Sequence, residues 1–585
     1  MFGSKWIQVL PAADRSGESG TRRSDRGTGI QRKQMIEGIA KKIGLAASLG
    51  AVAALAALPD PSRAARPNIV VIQTDDQSVS SLRATFRNRE GKIRKVMPNT
   101  LREVFRQGTE FTRTYAASPL CSPSRAAVLT GQYPHNNGLI GNDGEDGGWT
   151  GWQALPIWTE NVPETLRDAG YRTSHFGKFT NSYWRQGEGR PETVVPPGWS
   201  RWFTTSFRSG DARYYGYRVN DDGVPWGPFG RPNYGLRGPG VDNRDRCTAE
   251  SLIKPWLGWG CNYLTDVMTR EAVAEIRRGA GAGRKPFYLH LDYQAPHGDV
   301  VAPSGPQPAS RHLFSARDAL LERPPNFNEP DFSDKPPTIR DETPRFGRSA
   351  TEKLKKSWQR TLESLQGVDE GVGAIFETLR ETGQLRNTFV FFTSDNGYFF
   401  GEHRFTSGKS LPYEPAARVP LAVRGPGVPR GRKASRLTST MDIGATALAL
   451  SRAEPAFEVD GQSLRPIWRG TAEPSNRGVL VSLNRIASDE VDKSNLLGRT
   501  KAPVLRFDAI RVGPYKYVEY KNGDSELYDL SRDRWELRNR AEVPRWSPVL
   551  FYMAEQLELL RTCEGSDCRQ SLPPWPDPEP LDRGR

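Results

Sequence analysis

Short apolar runs that end abruptly in polar residues recur along the chain from Pro67 onward. Ile69-Val70-Val71-Ile72 runs into Gln73-Thr74-Asp75-Asp76, and a second run leads to His175-Phe176-Gly177-Lys178. Phe287-Tyr288-Leu289-His290-Leu291 runs into Ala295-Pro296-His297, and Phe389-Val390-Phe391-Phe392 into Ser394-Asp395-Asn396-Gly397. Runs this short and this continuously apolar predict strands buried on both faces, as in parallel sheets. Amphipathic segments over about 262–278 and 350–383 separate them, and Pro98-Asn99 opens a further helix that Gly108 stops. The pattern predicts an α/β sheet with crossover helices. Ligands bind such sheets at the carboxyl ends of the strands. Loop polarity alone accounts for any one polar pair. Four strand ends together predict one pocket built from Asp75/Asp76, Lys178, His297 and Asp395/Asn396.

The texture changes at three places. Residues 303–350 are rich in Pro, Asp and Arg with weak periodicity, and predict a long excursion over the surface that lines a substrate cleft. Beyond about 470, Asp508 to Val512 and Tyr515 to Tyr520 alternate, and Asn522-Gly523 supplies a hairpin turn before Leu527 to Leu530. A closing helix is expected near 547–561, so a smaller antiparallel subdomain over 471–585 should follow a larger α/β domain over 65–470. At the other end, the apolar run Ile43 to Leu58 follows Lys41-Lys42 and precedes Pro59. It is shorter than the ~20 residues that span a bilayer but suits the h-region of a signal peptide; a buried Ala-rich helix is the alternative. Residues 1–64 are therefore expected to be a leader, cleaved between Ala53 and Ala65. The mature chain should lack a transmembrane span and be exported, whether secreted, periplasmic or at the cell surface.

With 36% hydrophobic and 26% charged residues, the composition excludes a disordered chain and a polytopic membrane protein. The formal charge of +14 is uneven: residues 1–66 hold 11 Lys/Arg against 5 Asp/Glu, leaving +8 for the rest. No Lys/Arg run with interleaved aromatics follows, so no nucleic-acid partner is expected, whereas a basic surface suits an anionic polymer. Of five cysteines, Cys563 and Cys568 are close enough for a small loop disulfide, and Cys247 and Cys261 are candidates for another. Cys121 is left over, which in an exported protein calls for a reactive thiol, an intermolecular pair or a modification.

Cys121-Ser122-Pro123-Ser124-Arg125 opens a predicted helix that runs through Leu129 and stops near Gly131. Cys121 then sits at the positive end of a helix dipole, with Arg125 one turn along on roughly the same face. The C-x-P-x-R spacing resembles the sulfatase signature. The likeness extends through Pro67-Asn68-Ile69-Val70, Thr74-Asp75-Asp76-Gln77, Gly131-Gln132-Tyr133-Pro134-His135-Asn136, Thr393-Ser394-Asp395-Asn396-Gly397 and Arg424-Gly425-Pro426-Gly427, in the family's order. Gly177-Lys178-Phe179-Thr180-Asn181, continuing to Tyr183, resembles the branch of N-acetylglucosamine-6-sulfatases and extracellular heparan sulfatases.

The resemblance implies an alkaline-phosphatase-like sandwich with a large, mostly parallel sheet. It implies hydrolysis of sulfate monoesters through a formylglycine made from Cys121 by a formylglycine-generating enzyme, and 6-O-sulfate of glucosamine in sulfated glycans as substrate. Asp75, Asp76, Asp395 and Asn396 match metal ligands, with the oxygen at Cys121 completing the shell; such hard donors suit Ca²⁺, with Mg²⁺ or Mn²⁺ as lesser options. Lys178, His297 and Lys409 match sulfate-binding cations, Arg125 would orient the formylglycine, and Asn181 would hydrogen-bond nearby. His297 or Asp395 would supply the proton to the leaving oxygen. His135 and His403 are second candidates, while His175, His290 and His312 are expected to be structural or surface residues. Thr180 departs from the wider family, which places a histidine there, so the base for sulfate elimination is open. The rivals are a phosphate or phosphonate ester hydrolase on the same fold and a catalytically silent binder of sulfated glycans.

Overall fold

Ile69 and Val71 point to one face of a strand, Val70 and Ile72 to the other, and all four are fully buried. The structure, a computed structural model, describes residues 66–580 apart from 89, 186–189, 208–212, 231–246, 255–260, 282, 300–304, 473–475 and 485–504. The expected leader, with its apolar run Ile43 to Leu58 and cleavage region Ala53 to Ala65, lies outside the described residues.

The large sheet comprises β1 (Asn68–Thr74), β2 (Thr109–Tyr115), β3 (Arg172–Gly177), β4 (Arg201–Ser206), β5 (Tyr217–Asp221), β6 (Val224–Phe229), β7 (Phe287–Asp292), β8 (Thr388–Ser394), β9 (Arg418–Arg424), β10 (Arg432–Ala434) and β11 (Thr438–Ser439). Their order is β6-β5-β4-β3-β7-β1-β8-β9-β2-β10, with β11 also beside β2. The central five, β4-β3-β7-β1-β8, run parallel. The pairs β4-β5, β5-β6, β8-β9 and β9-β2 are antiparallel.

Five helices matter for the core: α1 (Cys121–Thr130), α2 (Val162–Asp168), α3 (Leu264–Arg278), α4 (Arg348–Glu381) and α5 (Asp442–Ser451). Val70 and Ile72 join Leu264, Val267 and Ile276 of α3 and Leu362, Val368 and Ile375 of α4 in one core. Ile69 and Val71 join Val128 and Leu129 of α1, Leu166 of α2 and Ile443 of α5 in the other. Parallel strands need cover on both faces, and these helices supply it. This is the predicted α/β sandwich.

The second sheet is β12 (Gly478–Leu483), β13 (Phe507–Val512), β14 (Tyr515–Tyr520) and β15 (Ser525–Asp529), antiparallel in that order. The closing helix α6 (Ser547–Arg561) lays Val549, Met553 and Leu557 on the face bearing Leu480 and Ile510. The opposite face, with Val479, Val481 and Val518, packs on Phe399, Phe405, Leu411 and Tyr413 from the loop that follows β8. Arg66–Arg585 is one compact unit, so this small sheet supports that loop directly.

Within 303–350, two short helical turns, Ser310–His312 and Pro337–Arg340, interrupt irregular chain. The excursion is not confined to the surface, as its composition suggested. Asn326, Glu329, Lys335 and Thr343 are buried, and Lys335 Nζ lies 3.3 Å from a Glu329 carboxylate oxygen, so the polar side chains go inside in partnered form. Both expected disulfides, Cys247–Cys261 and Cys563–Cys568, are present, and Cys121 is a buried free cysteine.

The helical turn Pro98–Thr100, which continues as Leu101–Phe105, has no local side-chain cap. Asp369 of α4 caps it from a distance, accepting from the backbone N–H of Thr100 at 2.7 Å and of Asn99 at 3.0 Å. Asp369→Ala is expected to cost about 1–3 kcal/mol through two unpaired amides, and Asp369→Asn less, read as a fall in the urea midpoint.

Candidate functional site

The parallel strands end at one edge, and their last residues converge there. Asp75 and Asp76 follow β1, Lys178 follows β3, Asp292 ends β7, and Asp395 and Asn396 follow β8. Gly177 makes the turn into Lys178 possible. Its φ is +107°, and a Cβ there would stand 1.9 Å from the Asp292 carbonyl oxygen. Asp76 also adopts a left-handed φ of 66°, which lets its N–H reach an Asp395 carboxylate oxygen at 3.1 Å.

Cys121 opens α1, as predicted, and Gly131 ends that helix at φ +73°. Leu120, the residue before the helix, gives no side-chain cap. Asn142 does so from a separate loop, its side-chain oxygen accepting from Ser122 N–H at 2.8 Å. Ser122 Oγ accepts from Asn181 N–H at 2.9 Å, tying the Lys178–Asn181 turn to the same helix end. Ser124 Oγ donates to the Asp395 carbonyl.

Cys121 Sγ lies 2.8 Å from Lys409 Nζ and 3.7 Å from an Asp75 carboxylate oxygen. Lys409 also contacts an Asp76 carboxylate oxygen, and Lys178 Nζ stands 2.5 Å from Asp75. Burial pushes the Cys121 thiol up to about 12, more than Lys178 and Lys409 pull it down. Burial also raises Asp395, to about 6, and the charge of Asp75 adds to this. Asp75 itself is held well below the usual carboxylate range, since Lys178, His297, Arg125 and Lys409 together outweigh its burial.

Arg125 is 2% exposed and does not present a free fork to the pocket. Its Nε and Nη2 lie 3.1 and 2.9 Å from Asp395, and its Nη1 reaches the Lys178 carbonyl at 2.9 Å and Asp292 at 3.0 Å. Asp292 was not anticipated, although it ends a strand just as Asp75 and Asp395 follow theirs. It also accepts from His175, whose Nε2 is 3.0 Å away, with His290 Nε2 at 3.6 Å. Those two buried histidines therefore support Arg125 from behind. Asn142 carried no periodic signal and was missed.

His297 directs Nε2 toward Asp76, 3.8 Å away, while its Nδ1 donates to the Gly298 carbonyl at 2.8 Å. Thr180 is buried, and its hydroxyl has no partner among the described residues. The second candidates do not join the site. His403 contacts Glu329, Asn326 and Glu536, and His135 contacts the Cys563 carbonyl. His312 faces Glu370.

Asp75, Asp76 and Asp395 each offer an oxygen within 4.8 Å of the others. Asp76 Oδ2 and Asn396 Oδ1 are buried with no hydrogen-bond partner among the described residues. A cluster of hard oxygen donors with two unmatched acceptors fits a divalent cation. Beside Asp76 a cleft opens, walled by Gly298, Gly305, Ser357, Thr361, Tyr398 and Phe400.

The family model described as Sulfatase matches residues 67–453. The extracellular sulfatase SULF-1 homolog of Drosophila melanogaster is 29% identical over 439 residues, covering 74% of this chain and 33% of that protein. The putative extracellular sulfatase Sulf-1 homolog of Caenorhabditis elegans is 30% identical, covering 68% of this chain and 48% of that protein. The chain thus spans about a third to a half of these two longer relatives. The N-acetylglucosamine-6-sulfatase of Homo sapiens is 28% identical over 528 residues, 86% of each chain. Among solved structures, a complex with D-glucosamine-2-N,6-O-disulfate superposes with a TM-score of 0.64 at 21% identity, covering 84% of this chain and 97% of that one. A phosphonate monoester hydrolase of Agrobacterium radiobacter superposes with a TM-score of 0.58 at 21% identity, covering 85% and 96%. At that identity, both likenesses concern the fold.

Because a side chain at Gly177 would collide with the Asp292 carbonyl, Gly177→Ala is expected to displace Lys178 and strain the β3–β7 edge. A loss of about 2–4 kcal/mol in a urea titration is the anticipated outcome, together with a large fall in activity.

Proposed function

The chain belongs to the sulfatase family, and from that premise we propose that it hydrolyses sulfate monoesters, with 6-O-sulfate of glucosamine units in sulfated glycans as its substrate class. The observation that carries this reading is the buried convergence of Cys121, two lysines and Arg125 with an oxygen-rich cluster at one helix start. The N-acetylglucosamine-6-sulfatase relative, covered over 86% of its length, supports the substrate class.

A divalent cation would be held by Asp75, Asp76, Asp395 and Asn396. Ca²⁺ suits the donors, with Mg²⁺ or Mn²⁺ second. When bound, it would polarise the sulfate oxygens.

A thiol pushed to about 12 is almost wholly protonated at neutral pH and is a poor nucleophile. This supports conversion of Cys121 to formylglycine, whose hydrate supplies a hydroxyl nucleophile and can regenerate the aldehyde by expelling sulfate. Lys178 and Lys409 would hold the sulfate oxygens, and Asn181 the neighbouring hydroxyl. Arg125 fixes Asp395 and the Lys178 backbone, and His297 Nε2 is placed to give a proton to the leaving oxygen. Residues 65–470 would be the catalytic domain, and 471–585 a subdomain that supports it. The extracellular relatives support export. Among the described residues, no helix is long and apolar enough to cross a membrane.

Mass spectrometry of the peptide bearing Cys121 should find an aldehyde or its hydrate, made by a formylglycine-generating enzyme. Cys121→Ala should fold normally and lose about 10³-fold or more of the turnover. An intact thiol with retained glycan binding would instead indicate a silent binder. Exhaustive chelation should abolish activity and Ca²⁺ should restore it. Asp395→Ala should lose the bound metal while Asp369→Ala keeps it; full activity after chelation would sink the metal assignment. Defined 6-O-, 2-O- and N-sulfated disaccharides, an aryl sulfate and a phosphonate monoester should rank with the 6-O-sulfate first. Activity confined to the phosphonate would reject the sulfatase reading.

A further inference from the structure

His297 stands on a tight turn after β7, closed by its own N–H donating to the Gln294 carbonyl at 2.8 Å. Asp75 N–H holds one side of that turn, donating to the Ala295 carbonyl at 3.3 Å. Tyr214 holds the other side. Its hydroxyl donates to the His297 carbonyl at 2.8 Å and lies 3.4 Å from the Gln294 carbonyl. Tyr214 is fully buried, and its own N–H reaches an Asp299 carboxylate oxygen at 3.1 Å. A single tyrosine thus meets the chain before, at and after the residue that bears the imidazole.

Tyr214 is itself seated on the start of α3. Leu264 N–H donates to its carbonyl at 3.1 Å, and its ring stacks on Tyr263, with centroids 5.7 Å apart and planes 12° from parallel. The Tyr263 hydroxyl in turn donates to the Gln307 carbonyl at 3.1 Å, next to Pro306 on the cleft wall. Burial raises the Tyr214 pKa well above the ordinary phenol value, and Tyr263, Asp299, Asp75 and Asp76 add to this, so the hydroxyl keeps its proton and stays a donor. A buried phenol needs a hydrogen-bond partner wherever it lies. What sets this one apart is its acceptor, the carbonyl of a residue whose side chain is 13% exposed and directs Nε2 toward Asp76.

We propose that Tyr214 is a positioning residue for His297, holding the turn so that Nε2 meets the leaving oxygen of the ester. The inference rests on the reading above, in which His297 is the proton donor. Nδ1–H is engaged by the Gly298 carbonyl, so the transferable proton is the one on Nε2. As the S–O bond breaks, the bridging oxygen takes that proton, the alcohol departs neutral, and the imidazole is left neutral with its proton on Nδ1. A sugar alkoxide needs this help, whereas a nitrophenolate leaves without it. Loosening the turn should therefore lower kcat according to how poor the leaving group is, and leave the binding of sulfate by the lysines as it was.

The test compares Tyr214→Phe, which keeps the ring and removes the hydroxyl, with Tyr171→Phe in the full chain. The buried Tyr171 donates its hydroxyl to the Pro67 carbonyl at 2.9 Å, at the opposite edge of the sheet. Each variant loses one buried hydrogen bond, so a loss of stability alone should affect them alike. In Tyr214→Phe, kcat on glucosamine 6-sulfate should fall about tenfold, with KM within about twofold of normal and kcat on nitrophenyl sulfate lowered less than about twofold. Tyr171→Phe should match the unmodified enzyme on both esters. In a His297→Ala background, Tyr214→Phe should add no further loss, because the two residues act as one unit. Equal losses on the two esters, or an undiminished loss on top of His297→Ala, overturn the proposal. The nitrogen NMR spectrum of the histidine side chains, with His297 identified from His297→Ala, needs no turnover. Tyr214→Phe should shift the His297 signals, and Tyr171→Phe should leave them in place. Unmoved His297 signals in Tyr214→Phe overturn the proposal whatever the kinetics. If they move while the unmodified enzyme hydrolyses no sulfate ester, the positioning stands and the hydrolase reading fails.

Discussion

Carboxylates delivered by neighbouring parallel strands repel one another, and Arg125 is the group through which four strand ends share one buried space. Its guanidinium touches Asp395 after β8, Asp292 at the end of β7, the Lys178 carbonyl after β3 and, at 3.6 Å, Asp75 after β1. A buried cation of this kind is expensive to desolvate, and removing any one of its anions leaves it under-compensated. The arrangement is therefore all or nothing: the strand ends meet around Arg125 or they do not meet. Cys121 is placed by the same helix, one turn before the arginine. The geometry at the sulfur thus inherits its precision from the ion-pair network beneath it.

The loop after β8 carries Asp395, Asn396 and Lys409 and needs a different support, because it is irregular and long. Its apolar residues Phe399, Phe405, Leu411 and Tyr413 rest on the small antiparallel sheet. His403, in the middle of the loop at a left-handed φ of 51°, bonds Glu329 at 2.7 Å and faces Glu536 at 3.8 Å. Against its burial, the hydrogen bonds to those two carboxylates raise its pKa. One imidazole thereby joins this loop to the 303–350 excursion and to the C-terminal chain. The position of Lys409 is thus a property of three segments far apart in sequence.

Period and punctuation make much of the fold legible in the sequence. Val70/Ile72 and Ile69/Val71 announced a strand covered twice, Gly131 ended α1, and Asn522-Gly523 turned the hairpin between β14 and β15. The oxygen donors were legible because they stand immediately after apolar runs. Groups that act through others were not. Asn142 and Asp369 cap helices far from them in sequence, and Asp292 is recognisable only once Arg125 is seen beside it. The burial of Glu329 and Lys335 was hidden for a related reason: a polar-rich segment reads as surface unless its partners are known.

That difference also separates the strand ends from the cleft beside them. The strand-end groups are fixed by regular elements and by Arg125, so little of that arrangement can change without losing the core. The cleft beyond Asp76 is walled differently, by Gly298, Gly305 and Pro306 from irregular chain and by Ser357 and Thr361 from one face of α4. Ser357 and Thr361 are themselves buried on α4, just before the apolar stripe of Leu362, Leu365 and Val368 that joins the core. The strand ends and the cleft wall are thus built by different parts of the fold, the first by ion pairs inside the sheet edge and the second by irregular chain and one face of α4.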